Sequence, residues 1–127
     1  MKKFVTLLLC MLPVSLFAQV NDGIRQAMDN YDYETVVTLI EPDCQDSLLL
    51  ITKAQALKAM NRYPEAIGVL NSLILKDSTN TKVLIDLAEC YKLTGNSRRA
   101  ANCYQKAMNL QPENKFFRLQ FIRSEER

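Results

Sequence analysis

A stretch of this chain repeats itself at an offset of 34 residues, and that period constrains the fold more than any other feature. The downstream copy, Thr81 to Asn114, reads TKVLIDLAECYKLTGNSRRAANCYQKAMNLQPEN. Leu84, Leu87, Ala88 and Tyr91 fall at i, i+3, i+4 and i+7, so they share one face of a helix. Ala100, Tyr104, Ala107 and Met108 do the same for a second helix. Gly95 stands where the first helix must stop, because glycine takes the left-handed conformation of a helix C-cap at little steric cost. Asn96 or Ser97 can then cap the second helix through a side-chain oxygen. Pro112 cannot continue that helix and closes the unit. Moving back 34 residues, Leu84 maps to Leu50, Ala88 to Ala54, Tyr91 to Leu57, Gly95 to Asn61, Ala100 to Ala66, Tyr104 to Leu70, Ala107 to Leu73 and Asn114 to Asn80. Small Ala88 and Ala100 sit where two helices must approach, and large Tyr91 and Tyr104 fill the space around them.

A 34-residue helical hairpin with these residue types resembles the tetratricopeptide repeat (TPR) family. The likeness covers Ser47 to Asn114. Lys53 in place of an apolar residue and Ser78 in place of proline mark the upstream copy as the more degenerate one. Pro64 suits the first turn of its second helix, where a missing N–H costs nothing. The resemblance implies an all-α fold, a short right-handed α-solenoid of stacked hairpins.

The rest of the chain is read against that register. Residues 1–18 have the form of a secretory signal peptide: Lys2 and Lys3, an apolar run from Phe4 to Phe17, and the small residue Ala18 before Gln19. An uncleaved anchor or a lipoprotein at Cys10 is the weaker reading, since Leu9 precedes that cysteine. The short basic start suggests a bacterial exporter and a periplasmic destination. Residues 19–46 read as a shortened, degenerate hairpin, with Ile24, Ala27 and Met28 on one helix and Val36, Val37, Leu39 and Ile40 on the next. The turn is Asn30-Tyr31-Asp32-Tyr33, and Pro42 stops the second helix at Glu41. Residues 47–80 and 81–114 are the two full repeats. Residues 115–127 form a terminal capping helix, with Phe117, Phe121 and Ile122 covering the end of the stack.

Several chemistries lack their parts. There is no histidine, so no Ser-His or Cys-His pair exists, and three isolated glycines make no phosphate loop. No catalytic, cofactor-binding or metal-binding residue is assigned, and no cofactor is expected. Without the two leader lysines the chain carries 14 basic and 14 acidic residues, and no basic face for nucleic acid is evident. No membrane span is expected beyond the leader. Cys44, Cys90 and Cys103 make an odd count for an oxidising compartment. Cys90 and Cys103 lie on the two helices of one hairpin, and are read either as a disulfide or as two small semi-buried thiols.

In this family the first helix of each hairpin lines a concave face. By repeat register the candidate peptide-binding groove is Arg25, Met28, Ile51, Gln55, Lys58, Lys82, Ile85, Glu89 and Lys92, extended by Arg123. Apolar anchors among long charged side chains suit an extended peptide or a helix of a protein partner. Lys82 is one element of a carboxylate clamp, but Asp86 stands where a second cation is wanted, so that activity is not expected. The other reading is self-association of an assembly subunit through Phe116, Phe117 and Phe121.

Overall fold

The computed structural model describes residues 20–125; the leader, 1–18, lies outside them. These residues form seven helices and no strand: α1 (20–29), α2 (Tyr33–Leu39), α3 (Ser47–Ala59), α4 (Tyr63–Lys76), α5 (Thr81–Leu93), α6 (Ser97–Leu110) and α7 (Lys115–Glu125). Each helix from α2 onward packs on its neighbours in sequence, which makes the fold an all-α repeat solenoid.

The turns inside the three hairpins are built alike. Tyr31, Asn61 and Gly95 have φ of 58°, 62° and 85°. At each, this residue donates its N–H three residues back, and the next donates five back: Asp32 to Ala27, Arg62 to Leu57 and Asn96 to Tyr91, all at 2.8 Å. That pairing is the Schellman motif, which satisfies carbonyls left open at a helix end. The following helices start on side-chain caps where one is present. Asp32 accepts from Thr35 N–H, Asp46 from Leu48 and Leu49, Asn80 from Val83, and Asn96 from Arg99. Of the two caps considered for α6, Asn96 is the one used. Helix α4 has no side-chain cap and carries Pro64 in its first turn instead.

The repeating residues form the core. Ala54, Ala66, Ala88 and Ala100 are at most 2% exposed. Leu50, Leu57, Leu70, Leu73, Leu87, Tyr91 and Tyr104 join them in one continuous cluster from α3 to α6, which Phe121 of α7 touches. Burying each large apolar side chain contributes about 1.5–3 kcal/mol. A smaller cluster, Ile24, Ala27, Val36, Ile40 and Ala56, joins the first hairpin to α3. A third, Leu84, Ala107 and Phe117, holds α7 against the last full hairpin.

Helix α2 stops at Leu39, two residues before the expected end, and Ile40 turns into the core as an extended cap residue. With 7 residues against 14 in α4, it leaves one side of α3 and α4 uncovered. The result is a cleft of about 440 Å³ with Pro42, Cys44, Leu50, Leu57 and Val69 on its walls and Lys53 and Lys76 among its polar lining. Lys76 donates to the Gln45 carbonyl at 2.7 Å, tying the connecting loop to the end of α4.

At the other end, Phe117 is buried and Phe121 packs on the main core, whereas Phe116, Leu119 and Ile122 are about half exposed. Two of the three aromatics considered for self-association are therefore used internally, and Ile122 does not complete the cap. The bridge considered for Cys90 and Cys103 is not made: both are free and buried. Their surroundings differ, since Cys90 feels Lys58, Asp86 and Glu89 whereas Cys103 feels Lys106, one turn along its own helix. Burial pushes both thiols above their ordinary range.

Candidate functional site

The candidate groove is built from the first helices of the hairpins. Because those helices start on matching caps, residues 34 apart hold matching positions. Three rows result: Leu48, Lys82 and Phe116; Ile51, Ile85 and Leu119; Gln55, Glu89 and Arg123. None of the nine is fully buried. Leu48 is 76% exposed, an unusual setting for leucine on a packed helix. The middle row is the apolar one, with Ile51 and Ile85 half-buried against the core and Leu119 more open. Leu48, Phe116 and Leu119 were not among the sequence candidates; extending the 34-residue step one repeat in each direction finds them.

One ion cluster ties adjacent repeats together. Lys58 of α3 donates to a Glu89 carboxylate oxygen of α5, and its Nζ lies 3.6 Å from Asp86 Oδ1. For Lys58, burial pulls the ammonium down, but the Glu89 hydrogen bond and the two carboxylates outweigh it and raise the group above its ordinary value. Asp86 also moves up, because burial and neighbouring Glu89 outweigh Lys58 and Lys82. The distances place the closer ionic contact at Lys58–Glu89, with Asp86 farther off beside it and its charged form disfavoured by burial. Lys58 is thus occupied by its own chain, and Asp86 explains why this face makes a poor clamp for a carboxylate.

The structure brings together two other candidates. Lys92 and Arg123, from α5 and α7, line a cleft of about 240 Å³ with Leu93, Ser97, Ala100 and Ser124. Met28 packs into the first hairpin's cluster. Arg25 and Lys82 are exposed and form no ion pair among the described residues. No group of three or more acidic, cysteine or histidine side chains that could hold a metal gathers among the described residues. None of their helices is long and apolar enough to cross a membrane.

Matched hairpins, a continuous seam of small residues and an open row of side chains on the first helices define an α-helical repeat protein. The tetratricopeptide repeat model matches residues 57–120. The chain belongs to the tetratricopeptide repeat family.

Among known proteins, the DnaJ homolog subfamily C member 7 homolog of Dictyostelium discoideum is 35% identical over 86 residues. The match covers 66% of this chain but only 16% of that protein's length. The TPR domain of Arabidopsis OM64 has the same fold at a TM-score of 0.71 and 16% identity, covering 86% of this chain and 93% of that one. The first TPR of Spaghetti (RPAP3), solved bound to an HSP90 peptide, gives 0.68 at 16% identity, covering 89% and 90%. PcrH, of Pseudomonas aeruginosa, solved with the chaperone binding region of PopB, gives 0.65 at 14% identity, covering 88% and 94%.

Proposed function

We propose that this chain is an exported, non-enzymatic interaction scaffold that holds an extended segment or a helix of a partner protein along the groove of its first helices. The observation that carries the reading is the partly open apolar row Ile51, Ile85 and Leu119, with the exposed Leu48, Lys82 and Phe116 on one side and the polar Gln55, Glu89 and Arg123 on the other, all at the same repeat spacing. Stacking has already hidden the residues that hold the hairpins together, so side chains left open in register are available to a partner. A segment laid across the row places apolar side chains on it, with Gln55, Lys82 and Arg123 setting its register. Complexes of Spaghetti with an HSP90 peptide and of PcrH with a PopB segment support the reading by the fold they share with this chain. Export rests on the form of residues 1–18, and a bacterial envelope is the proposed location.

The test is site-specific photo-crosslinking in the native cell. A crosslinker at position 119 should capture a defined partner, and one at position 75 should not. Leu75 is 89% exposed but lies on α4, away from the groove. Equal capture from both positions, or none from 119, overturns the groove assignment. Recovery of the protein in the cytoplasmic fraction overturns the location.

A further inference from the structure

The near balance of the chain, 16 basic residues against 14 acidic, conceals a strong polarity. Residues 20–46 contain seven carboxylates and one basic residue, Arg25. Residues 92–127 contain eight basic residues and three acidic ones. Because each helix packs on its neighbours in sequence, these two segments form opposite ends of the stack. The charged residues at both ends are exposed throughout the described chain. Only Glu34, which reaches Arg62 at 3.4 Å, enters an ion pair among the described members of either set.

Each end also carries a matching shape. At the acidic end Tyr31 is 76% exposed and sits at a left-handed φ, a position filled by asparagine and glycine in the other two turns. A bulky residue in that conformation is strained, and such strain tends to be kept where a side chain is needed in a fixed place. Asp32 follows it directly and Asp29 stands two residues before it, Asp32 serving also as the α2 cap. At the basic end is the Lys92–Arg123 cleft, which combines Leu93 and Ala100 with the hydroxyls of Ser97 and Ser124. Both features belong to the edge of the ribbon where the hairpin turns lie.

We propose that copies of this chain associate head to tail, the Tyr31 turn of one seated in the Lys92–Arg123 cleft of the next. The ring rests on Leu93, which is 58% exposed, the phenol lies among the serine hydroxyls, and Asp29 and Asp32 face Lys92 and Arg123. A second copy is the occupant to which the observations point, because one chain carries both halves of the complement and its net charge of only +2 sets up little self-repulsion. The contact is heterologous, so it grows into a ring or an open series rather than stopping at a pair. It shares Lys92 and Arg123 with the groove but not Leu119, so the crosslinking test at position 119 stands or falls alone.

Light scattering on the purified protein tests the proposal. At low ionic strength the mean mass should rise with concentration beyond two chains. It should fall as salt shortens the screening length to about 8 Å. Tyr31→Asn, which suits the turn as Asn61 does, and the pair Lys92→Glu with Arg123→Glu should each be monomeric with an unchanged helical circular dichroism signal. An equimolar mixture of the two variants should give a complex of two chains and no larger one, since each brings one intact surface. A wild-type chain that stays monomeric at every concentration overturns the proposal. So does a Tyr31→Asn protein that associates like wild type, or a mixture that remains monomeric.

Discussion

The first and third hairpins solve the same folding problem with unequal resources. In the third, α5 and α6 have 13 and 14 residues and bury eleven side chains, six on α5 and five on α6. In the first, α1 buries Ile24 and Ala27, and the 7-residue α2 buries only Val36, with Ile40 just beyond it. The third hairpin turns on glycine, with no atom within 4 Å of where a Cβ would stand. The first turns on a strained tyrosine. The third is where cohesion is concentrated, and the first is an end piece with room for other uses. In a solenoid each repeat is stabilised by itself and its neighbours, so damage at an end stays local while damage in a well-packed repeat spreads to both sides.

The largest expected effect comes from emptying the third hairpin. Tyr104 is 2% exposed in the main cluster, so Tyr104→Ala should cost about 3–5 kcal/mol. It should lower the urea midpoint of the whole helical transition. Ile40→Ala, at a residue 3% exposed, should cost about 2–3 kcal/mol of the first hairpin's local stability. Amide exchange should quicken in α1 and α2 and leave α5 and α6 unchanged. If Ile40→Ala accelerates exchange uniformly, the two regions are one cooperative unit and the contrast is false.

The turns offer an effect of opposite sign in the two regions. Gly95→Ala should cost about 1–2 kcal/mol through backbone strain alone, because the space around it is open. Tyr31→Asn should raise the local stability of the first hairpin by up to about 1 kcal/mol, since asparagine visits the left-handed region more readily. Thermal melts and amide exchange measure both. A loss of stability on Tyr31→Asn would show that the edge-on contact between Tyr31 and Tyr33, with ring centroids 6.3 Å apart, outweighs the strain.

These turns also show how far the sequence could be read. The alanines and large residues of the two full repeats were legible because a 34-residue period repeats the same contact twice, and one copy checks the other. Gly95 and Asn61 were legible because their residue types suit the conformation. Tyr31 was read as part of a turn, but its φ was not foreseen, since tyrosine carries no preference for it. The early stop at Leu39 was missed by two residues, because Pro42 bounds a helix without fixing its last turn. The groove candidates follow from register, but Phe116 and Leu119 need that register carried past the last full repeat, and Leu48 needs it carried back from Lys82 to a residue type that does not match. Lys58 was placed correctly on its helix, yet its capture by Glu89 depends on two side chains 31 residues apart, which no local pattern encodes.

The smallest expected effect sets the half-buried ions near the third hairpin against the exposed pair at the first. Asp86 has its carboxyl held above the ordinary value of 3.8, with burial the leading cause. The folded chain therefore binds that proton more tightly than the unfolded chain does. The stabilising contribution is full below about 3.8 and is lost as pH rises through the folded-state value, so at neutral pH the ionised group is a net cost. Asp86→Asn should accordingly be neutral to about 1 kcal/mol stabilising at neutral pH, with the gain vanishing in acid. Glu34→Gln, which removes the exposed partner of Arg62, should leave the urea midpoint where it was at either pH, because water already screens that pair. Denaturation of the two variants at neutral and acid pH separates the cases. If Asp86→Asn is destabilising at neutral pH, Asp86 rather than Glu89 is the main anchor of Lys58, and the groove is bound across its repeats by the carboxylate whose charge burial disfavours.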